Sequence, residues 1–192
     1  MKKGTIFWIS ILFILTALSI VLVIKIYPKE VKINEQGIKY KLGDEQGGSE
    51  QLVDVNIEGH LYQTITGKRR FEGTIDIEGE EISVPVDQRK LNIPFSDEGW
   101  GAIDYPYFLY RKKDNAITDT AIYQYGSLVI NRDFSKVSIM VAEQPKQPNG
   151  DMRVSWRSED GQMITVPASS RSEAIRLSNE IMKEFLKGLQ LK

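Results

Sequence analysis

His60 is the only histidine in the chain, and an imidazole between Gly59 and Leu61 could serve as a base or a ligand. A single imidazole without any cysteine cannot build a nitrogen- or sulfur-rich metal centre. The other donors are carboxylates, which suit hard cations, but no Asp-x-Asp-x-Asp-Gly loop is present, so no metal site is expected. Asp76, Glu78, Glu80 and Glu81 form the densest carboxylate group. Two carboxyls facing across a cleft make the acid and base of a glycosidase, whereas neighbours in sequence more simply make a solvated strand end and turn. Ser169, Ser170 and Ser172 lie together, but without Gly-x-Ser-x-Gly or Ser-x-x-Lys and with one candidate histidine base, serine hydrolysis is not supported. Open amides at the helix start there, with Arg171, could hold an anion, yet a capping box already uses two of them. Walker and dinucleotide loops are absent, so no cofactor is expected.

Recognition is better served by the aromatic residues. Trp100, Tyr105, Tyr107 and Tyr110, with Phe108 among them and Tyr123, Tyr125 and Trp156 elsewhere, supply flat rings that stack on sugars or peptides. These four are the candidate binding residues, with core filling as the competing role. Two basic clusters, at 68–70 and 111–113, could touch anionic wall polymers or lipid headgroups, or simply solvate turn tips. A nucleic-acid partner is not expected, because the formal net charge is −1 and backbone binding needs a basic excess.

The elements that would position these residues are mostly strands. Alternating Val53, Val55 and Ile57 against Asp54, Asn56 and Glu58 predicts a sheet with one buried and one wet face. Strands are predicted over 52–57, 61–66, 71–77 and 82–86, broken at 58–59, 67–70 and 78–81 by glycine and charge. The stretch 100–111 reads as a packed loop leading into an edge strand, since Pro106 is unsuited to a central one. Further strands are predicted at 121–125, 127–131, 136–142 and 163–166, with a hairpin turn at 131–135 and a proline-rich loop at 144–150. Ser170 to Glu173 matches a capping box, and Ala174, Leu177, Ile181, Phe185 and Leu189 make one apolar stripe, so an amphipathic helix should cover one sheet face.

No charged residue occurs from Thr5 to Ile24, a run of about 30 Å as a helix, enough to cross a bilayer. Trp8 and Tyr27 would mark its two interfaces. A cleaved secretory signal is the alternative, with small residues at Ala17 and Ser19, but apolar residues continue past that point to Ile24. The lysine count does not decide orientation, with Lys2 and Lys3 opposed by Lys25, Lys29 and Lys32. Met-Lys-Lys before an apolar run favours an N-terminus inside and an exported C-terminal domain. The absence of cysteine removes disulfides and agrees with a bacterial setting.

The stretches 55–59, 67–75, 164–168 and 172–175 resemble those of uncharacterised single-span, membrane-anchored envelope proteins of Gram-positive bacteria. That resemblance implies a location and a small anchored domain, and no activity or site.

The expected architecture is α+β: a transmembrane signal-anchor helix with its short tail over 1–27, a stalk over 28–50, and an antiparallel β-rich domain over 51–192 covered by the C-terminal helix. Within the stalk, alternation also allows a strand or a hairpin around 34–37, and 96–99 is a candidate boundary between two halves of the domain. The expected function is a non-enzymatic binding or accessory module in the bacterial envelope, partnered by the membrane and by an envelope protein or wall polymer. An envelope enzyme acting on glycan through carboxylates is the alternative, and an inverted topology would make it a cytoplasmic accessory subunit.

Overall fold

The computed structural model describes residues 3–43, 50–143 and 155–192. Helix α1 (Lys3–Ile26) leads through Tyr27 and Pro28 into β1 (Lys29–Lys41), β2 (Gln51–Gln63) and β3 (Arg69–Ile77). A 3-10 turn at Val86–Gln88 precedes β4 (Leu91–Pro94), β5 (Trp100–Tyr110), β6 (Ile117–Ile130), β7 (Val137–Val141) and β8 (Gln162–Val166). Helices α2 (Arg171–Ile181) and α3 (Lys183–Leu186) close the chain. The α+β class holds.

The strands form one 8-stranded antiparallel sheet in the order β4-β3-β2-β1-β8-β7-β6-β5. Every strand lies beside its sequence neighbour, and β8 returns to β1. The end strands β4 and β5 meet at a turn, where the Ser96 N–H donates to the Trp100 carbonyl at 2.8 Å. They pack so closely that a Cβ on Gly101 would lie 2.4 Å from Ile93 Cγ2. The sheet therefore curls into a barrel-like shape, closed between β4 and β5 by packing rather than by a ladder.

Alternation sorts the side chains. Val31, Ile33, Val55, Ile57, Phe71, Ile75, Ile103, Ile139 and Ile164 belong to the interior cluster, where Phe71 and Phe95 both meet Phe134 edge-on. Eight strands give an interior just wide enough for side chains to fill it. Gly59 pairs with Gly73 across β2 and β3, and a Cβ on Gly73 would fall 2.6 Å from the Phe71 ring. The glycine pair thus makes room for that ring inside the barrel.

A second cluster lies on the outer face. Ile38, Tyr40, Val129, Met140 and Met163 meet Ala174, Met182 and Leu186, so the C-terminal helices cover β1, β7 and β8 as the apolar stripe predicts. Ser170 caps α2 by accepting the Glu173 N–H at 3.3 Å, while the Glu173 carboxylate reaches one residue further back, to the N–H and hydroxyl of Ser169. The predicted continuous helix breaks at Met182, and Lys187 ends α3 in the left-handed region.

Several boundaries differ from the sequence reading. The segment read as a stalk contains β1, a central strand paired with both β2 and β8, and no turn interrupts it at 34–37. Its buried residues change phase, with Val31 and Ile33 facing the interior and Ile38 and Tyr40 facing the helices, which weakens the period-two signal. The strands predicted at 52–57 and 61–66 are one, because Gly59 sits inside the ladder. No strand forms at 82–86. Instead Arg89 donates to the carbonyls of Val84 at 2.7 Å and Ile82 at 2.8 Å, fixing an irregular segment before β4. Residues 100–110 are strand rather than loop, and β6 runs through the predicted break at Gly126, whose φ of 152° accompanies a change of register. The β1–β8 ladder and the shared core join both halves of the chain, so 96–99 is a turn and not a boundary. The loop predicted at 144–150 lies outside the described residues.

Among residues whose side chains are described, no helix holds a stretch long and apolar enough to cross a membrane. In α1 those side chains form a continuous run only from Phe7 to Val21. The backbone helix is longer, at 24 residues or about 36 Å, and Phe7, Trp8, Leu12, Phe13, Ile14, Leu15 and Leu18 on it are all exposed.

Candidate functional site

The four candidate aromatic residues do not converge. Trp100 packs on the outer cluster beneath the helices. Tyr105 lies inside the barrel, and Tyr107 packs half-buried against the same interior cluster. Only Tyr110 is exposed, 6.5 Å from the Phe108 ring. Strand alternation separates these residues, because successive positions on β5 face opposite ways. Beyond Tyr105, β5 and β6 continue as a two-stranded arm to Tyr110 and Ile117, with Leu109, Ile117 and Ile122 exposed on it. The outer edge of the arm is closed to strand addition. Pro106 has no N–H, the Phe108 N–H donates to Gln88 Oε1 at 2.6 Å, and Gln88 Nε2 donates to the Phe108 carbonyl at 3.4 Å.

The other candidates also find their places. His60 is exposed on β2, between Glu30 of β1 and Glu72 of β3, with its ring 6.4 Å from Tyr62, beside the end of α1 and outside the cavity that Asp76, Glu78 and Glu80 line. In the basic cluster at 68–70, Arg69 donates to the Asn131 carbonyl at 3.1 Å and stacks over Phe95, while Arg70 pairs with Glu72 at 3.0 Å and lies over Tyr62. Burial, then the neighbouring Arg132, holds the Arg69 guanidinium below its ordinary value. At 111–113, Arg111 pairs with Asp114 at 3.3 Å on the arm's exposed tip.

The carboxylates come together at the end of the barrel away from α1. There a cavity of about 300 Å³ is lined by Asp54, Asp76, Glu78 and Glu80, with Asn34, Asn56 and Arg89 beside them and Val55, Ile77 and Ile82 as its apolar wall. The adjacency of 76, 78 and 80 in sequence did not require this; the irregular segment after β3, held by Arg89, folds Glu80 back toward the sheet. Glu80 is committed to structure, since Lys39 forms a close ion pair with it and the Tyr125 hydroxyl donates to its other oxygen at 3.0 Å. Burial and that carboxylate push the Tyr125 hydroxyl well above the ordinary tyrosine range. Asn56 Oδ1 on the cavity wall has no hydrogen-bond partner among the described residues, and neither has the hydroxyl of Tyr105, which is 1% exposed in the barrel interior. Burial first, then the charge of Asp76, raises Tyr105 far above its ordinary value, and Arg89 opposes the shift.

A larger groove, of about 810 Å³, lies at the α1 end, where Lys29, Arg69 and Arg132 alternate with Asp97, Glu180 and Glu184. Its charges largely answer one another and it contains none of the unpartnered buried atoms, so the smaller cavity is the better candidate. Sequence reading picked out Asp76, Glu78 and Glu80, named Tyr125 only as an aromatic ring, and missed Asp54, Lys39, Asn56 and Arg89, while Glu81 of the same group does not line the cavity. Lys39 offered no signal, since in Ile38-Lys39-Tyr40-Lys41-Leu42 it holds an ordinary wet-face position of an alternating strand. Among the described residues no group of three or more His, Asp or Glu is arranged to hold a metal ion. No family model matches the chain, and no curated protein or solved structure matches it significantly.

Proposed function

We propose that this chain is a membrane-anchored, extracytoplasmic binding or accessory domain of the bacterial envelope, of the Gram-positive single-span kind, without catalysis of its own. The observation that carries this reading is α1: 24 residues, apolar on every described side, joined to β1 by Tyr27 and Pro28 alone. A helix apolar all round belongs in a lipid or protein interior, and this one stands outside the barrel's core clusters. The short junction would hold the barrel close to the bilayer, with the carboxylate-lined cavity and the β5–β6 arm at its far end. The commitment of Glu80 to Lys39 and Tyr125, and the separation of His60 from the cavity, favour binding over catalysis.

Lys192 is exposed and the chain has no cysteine, so Lys192→Cys provides a unique reporter. A membrane-impermeant maleimide should label it in intact cells; labelling only after lysis would overturn the extracytoplasmic placement. The cavity also favours a second reading, an envelope enzyme acting on glycan through Asp76 or Glu78. Turnover of wall fragments that disappears in Asp76→Asn or Glu78→Gln would establish it, and unchanged turnover in both would remove it.

A further inference from the structure

We infer that the β2–β3 turn is a membrane-docking element, with Ile65 seated among the headgroups and Lys68 and Lys29 held by anionic lipid of the bilayer that α1 spans. This inference rests on the anchored reading and extends it from the helix to the barrel. Strand register sets the reach of the turn. β1 enters the sheet at Lys29, opposite Leu61, while the β2–β3 ladder runs on to Gln63 and Arg69 before the chain reverses. At about 3.3 Å per residue, Ile65 extends about 10 Å beyond the start of β1. Only Tyr27 and Pro28 separate that start from α1, which touches β2, and Tyr27 shares a recess with His60 and Tyr62. The turn therefore stands beside the exit of α1, and its reach exceeds a headgroup layer about 5–8 Å deep.

The turn is built to hold an apolar tip in the open. The Thr64 N–H donates to the Lys68 carbonyl at 2.9 Å, the Gly67 N–H to the Thr64 carbonyl at 3.0 Å, and the Lys68 N–H to Thr64 Oγ1 at 3.1 Å. Gly67, at a φ of 88°, supplies the left-handed residue that the reversal needs. Ile65 is left 71% exposed at the tip. Charge selects what covers it. No acidic residue occurs from Leu61 to Phe71, against three basic ones. Arg69 is committed to the Asn131 carbonyl and Arg70 to Glu72. The side chains of Lys68 and Lys29 are exposed without an ion-pair partner among the described residues, and Lys29 lines the same groove as Gln63 and Gly67. Asp97 and Glu98 of the β4–β5 turn also line that groove, which confines the lipid contact to the β2–β3 turn and Lys29. At the headgroup boundary an aliphatic side chain leaves water and a lysine meets phosphate, so this set fits an anionic lipid surface. With α1 as tether the contact is intramolecular, and one isoleucine with two lysines is enough to hold it.

The test uses the full chain in vesicles, with Thr66→Cys as the single thiol carrying an environment-sensitive fluorophore and nitroxide-labelled lipid as quencher. Lys112→Cys, on the arm at the far end of the barrel, is the control. In mixed phosphatidylglycerol and phosphatidylcholine vesicles the label at 66 should be quenched and the label at 112 should stay in water. Ile65→Ser should remove most of that quenching, and Lys68→Ala should lower the docked-to-undocked ratio about fivefold, the effect of one lysine at an anionic surface. Both positions are exposed, so the circular dichroism of either variant should match the parent. A label at 66 no more quenched than the one at 112, an unchanged signal in either variant, or equal quenching in pure phosphatidylcholine would overturn the inference. Alkaline extraction of the same vesicles reads the anchor separately. A chain that resists extraction while its turn stays unquenched refutes the docking and leaves the anchored reading standing, whereas a chain that alkali strips away overturns both.

Discussion

Polar groups are buried at two places in this barrel, and they are treated in opposite ways. Beneath α2, the hydroxyls of Tyr40, Ser138, Thr165 and Ser178 form a closed group: Ser138 to Ser178 at 2.7 Å, Thr165 to Ser178 at 2.8 Å, and Tyr40 to Ser178 at 3.0 Å. Burial raises Tyr40 above its ordinary value, and its hydrogen bonds to Ser178 and Thr165 oppose the shift. Inside the barrel, Tyr105 is as deeply buried and has no partner among the described residues, and on the wall of the distal cavity Asn56 Oδ1 is also unmatched. The same residue type at the same depth thus serves two purposes. A satisfied set fixes how a helix sits on a sheet, whereas an unsatisfied group carries a standing cost.

The largest expected effect lies at the cavity's structural ion pair. Lys39→Met leaves Glu80 mostly buried without its cation and should destabilise the barrel by about 3 kcal/mol in a urea titration. Lys39→Met with Glu80→Met should recover most of that loss, because the apolar pair removes both charges together. A double variant as unstable as the single one would mean that the pair does more than neutralise itself.

The comparison is sharpest between two hydroxyl deletions. Ser178→Ala removes the hub of the satisfied group and should cost about 1–3 kcal/mol. Tyr105→Phe removes an orphan and should stabilise the ligand-free protein by about 1 kcal/mol. Thermal melts of the two variants should shift in opposite directions; shifts of the same sign would erase the distinction between the two places.

The smallest effect is at the helix cap. The N–H and hydroxyl of Ser169 hold the Glu173 carboxyl below its ordinary value of 4.5. Its folded value lies below its unfolded one, so its contribution is present above that ordinary value and is lost as pH falls through the folded value. Glu173→Gln should therefore melt below the parent at neutral pH, and the two should converge as pH falls below the folded-state value. A gap that persists in acid would assign the effect to packing instead of charge.

Where one face of a strand is buried throughout, as in β3, residue alternation alone locates the strand, whereas in β2 Glu58 and Gly59 read as a break inside one continuous ladder. It misleads in β1, where the buried phase switches between Ile33 and Ile38 and both faces are covered near Tyr40. Lysine, glutamate and glutamine around that switch read as a linker because composition does not reveal which neighbour will cover a residue. The aromatic run on β5 was legible as a cluster in sequence, yet alternation sends its members to the interior, the outer cluster and solvent. The carboxylates were legible too, but not their partners, since Lys39 and Tyr125 meet Glu80 from strands far away in the chain.

Local chemistry was enough for the sequence by itself to determine the apolar N-terminal helix, the β-rich character of the remaining chain, the capped amphipathic helix that covers the sheet, and the lack of thiol chemistry. Those features depend on periodicity, capping and composition, which act over a few residues. Tertiary structure alone decided that β8 returns to β1, that the sheet curls until β4 meets β5, and that Asn56, Asp76, Glu80 and Arg89 share one cavity. The reason is physical: strand pairing and burial join residues distant in sequence, and which polar group ends with a partner is settled only when every element is in place.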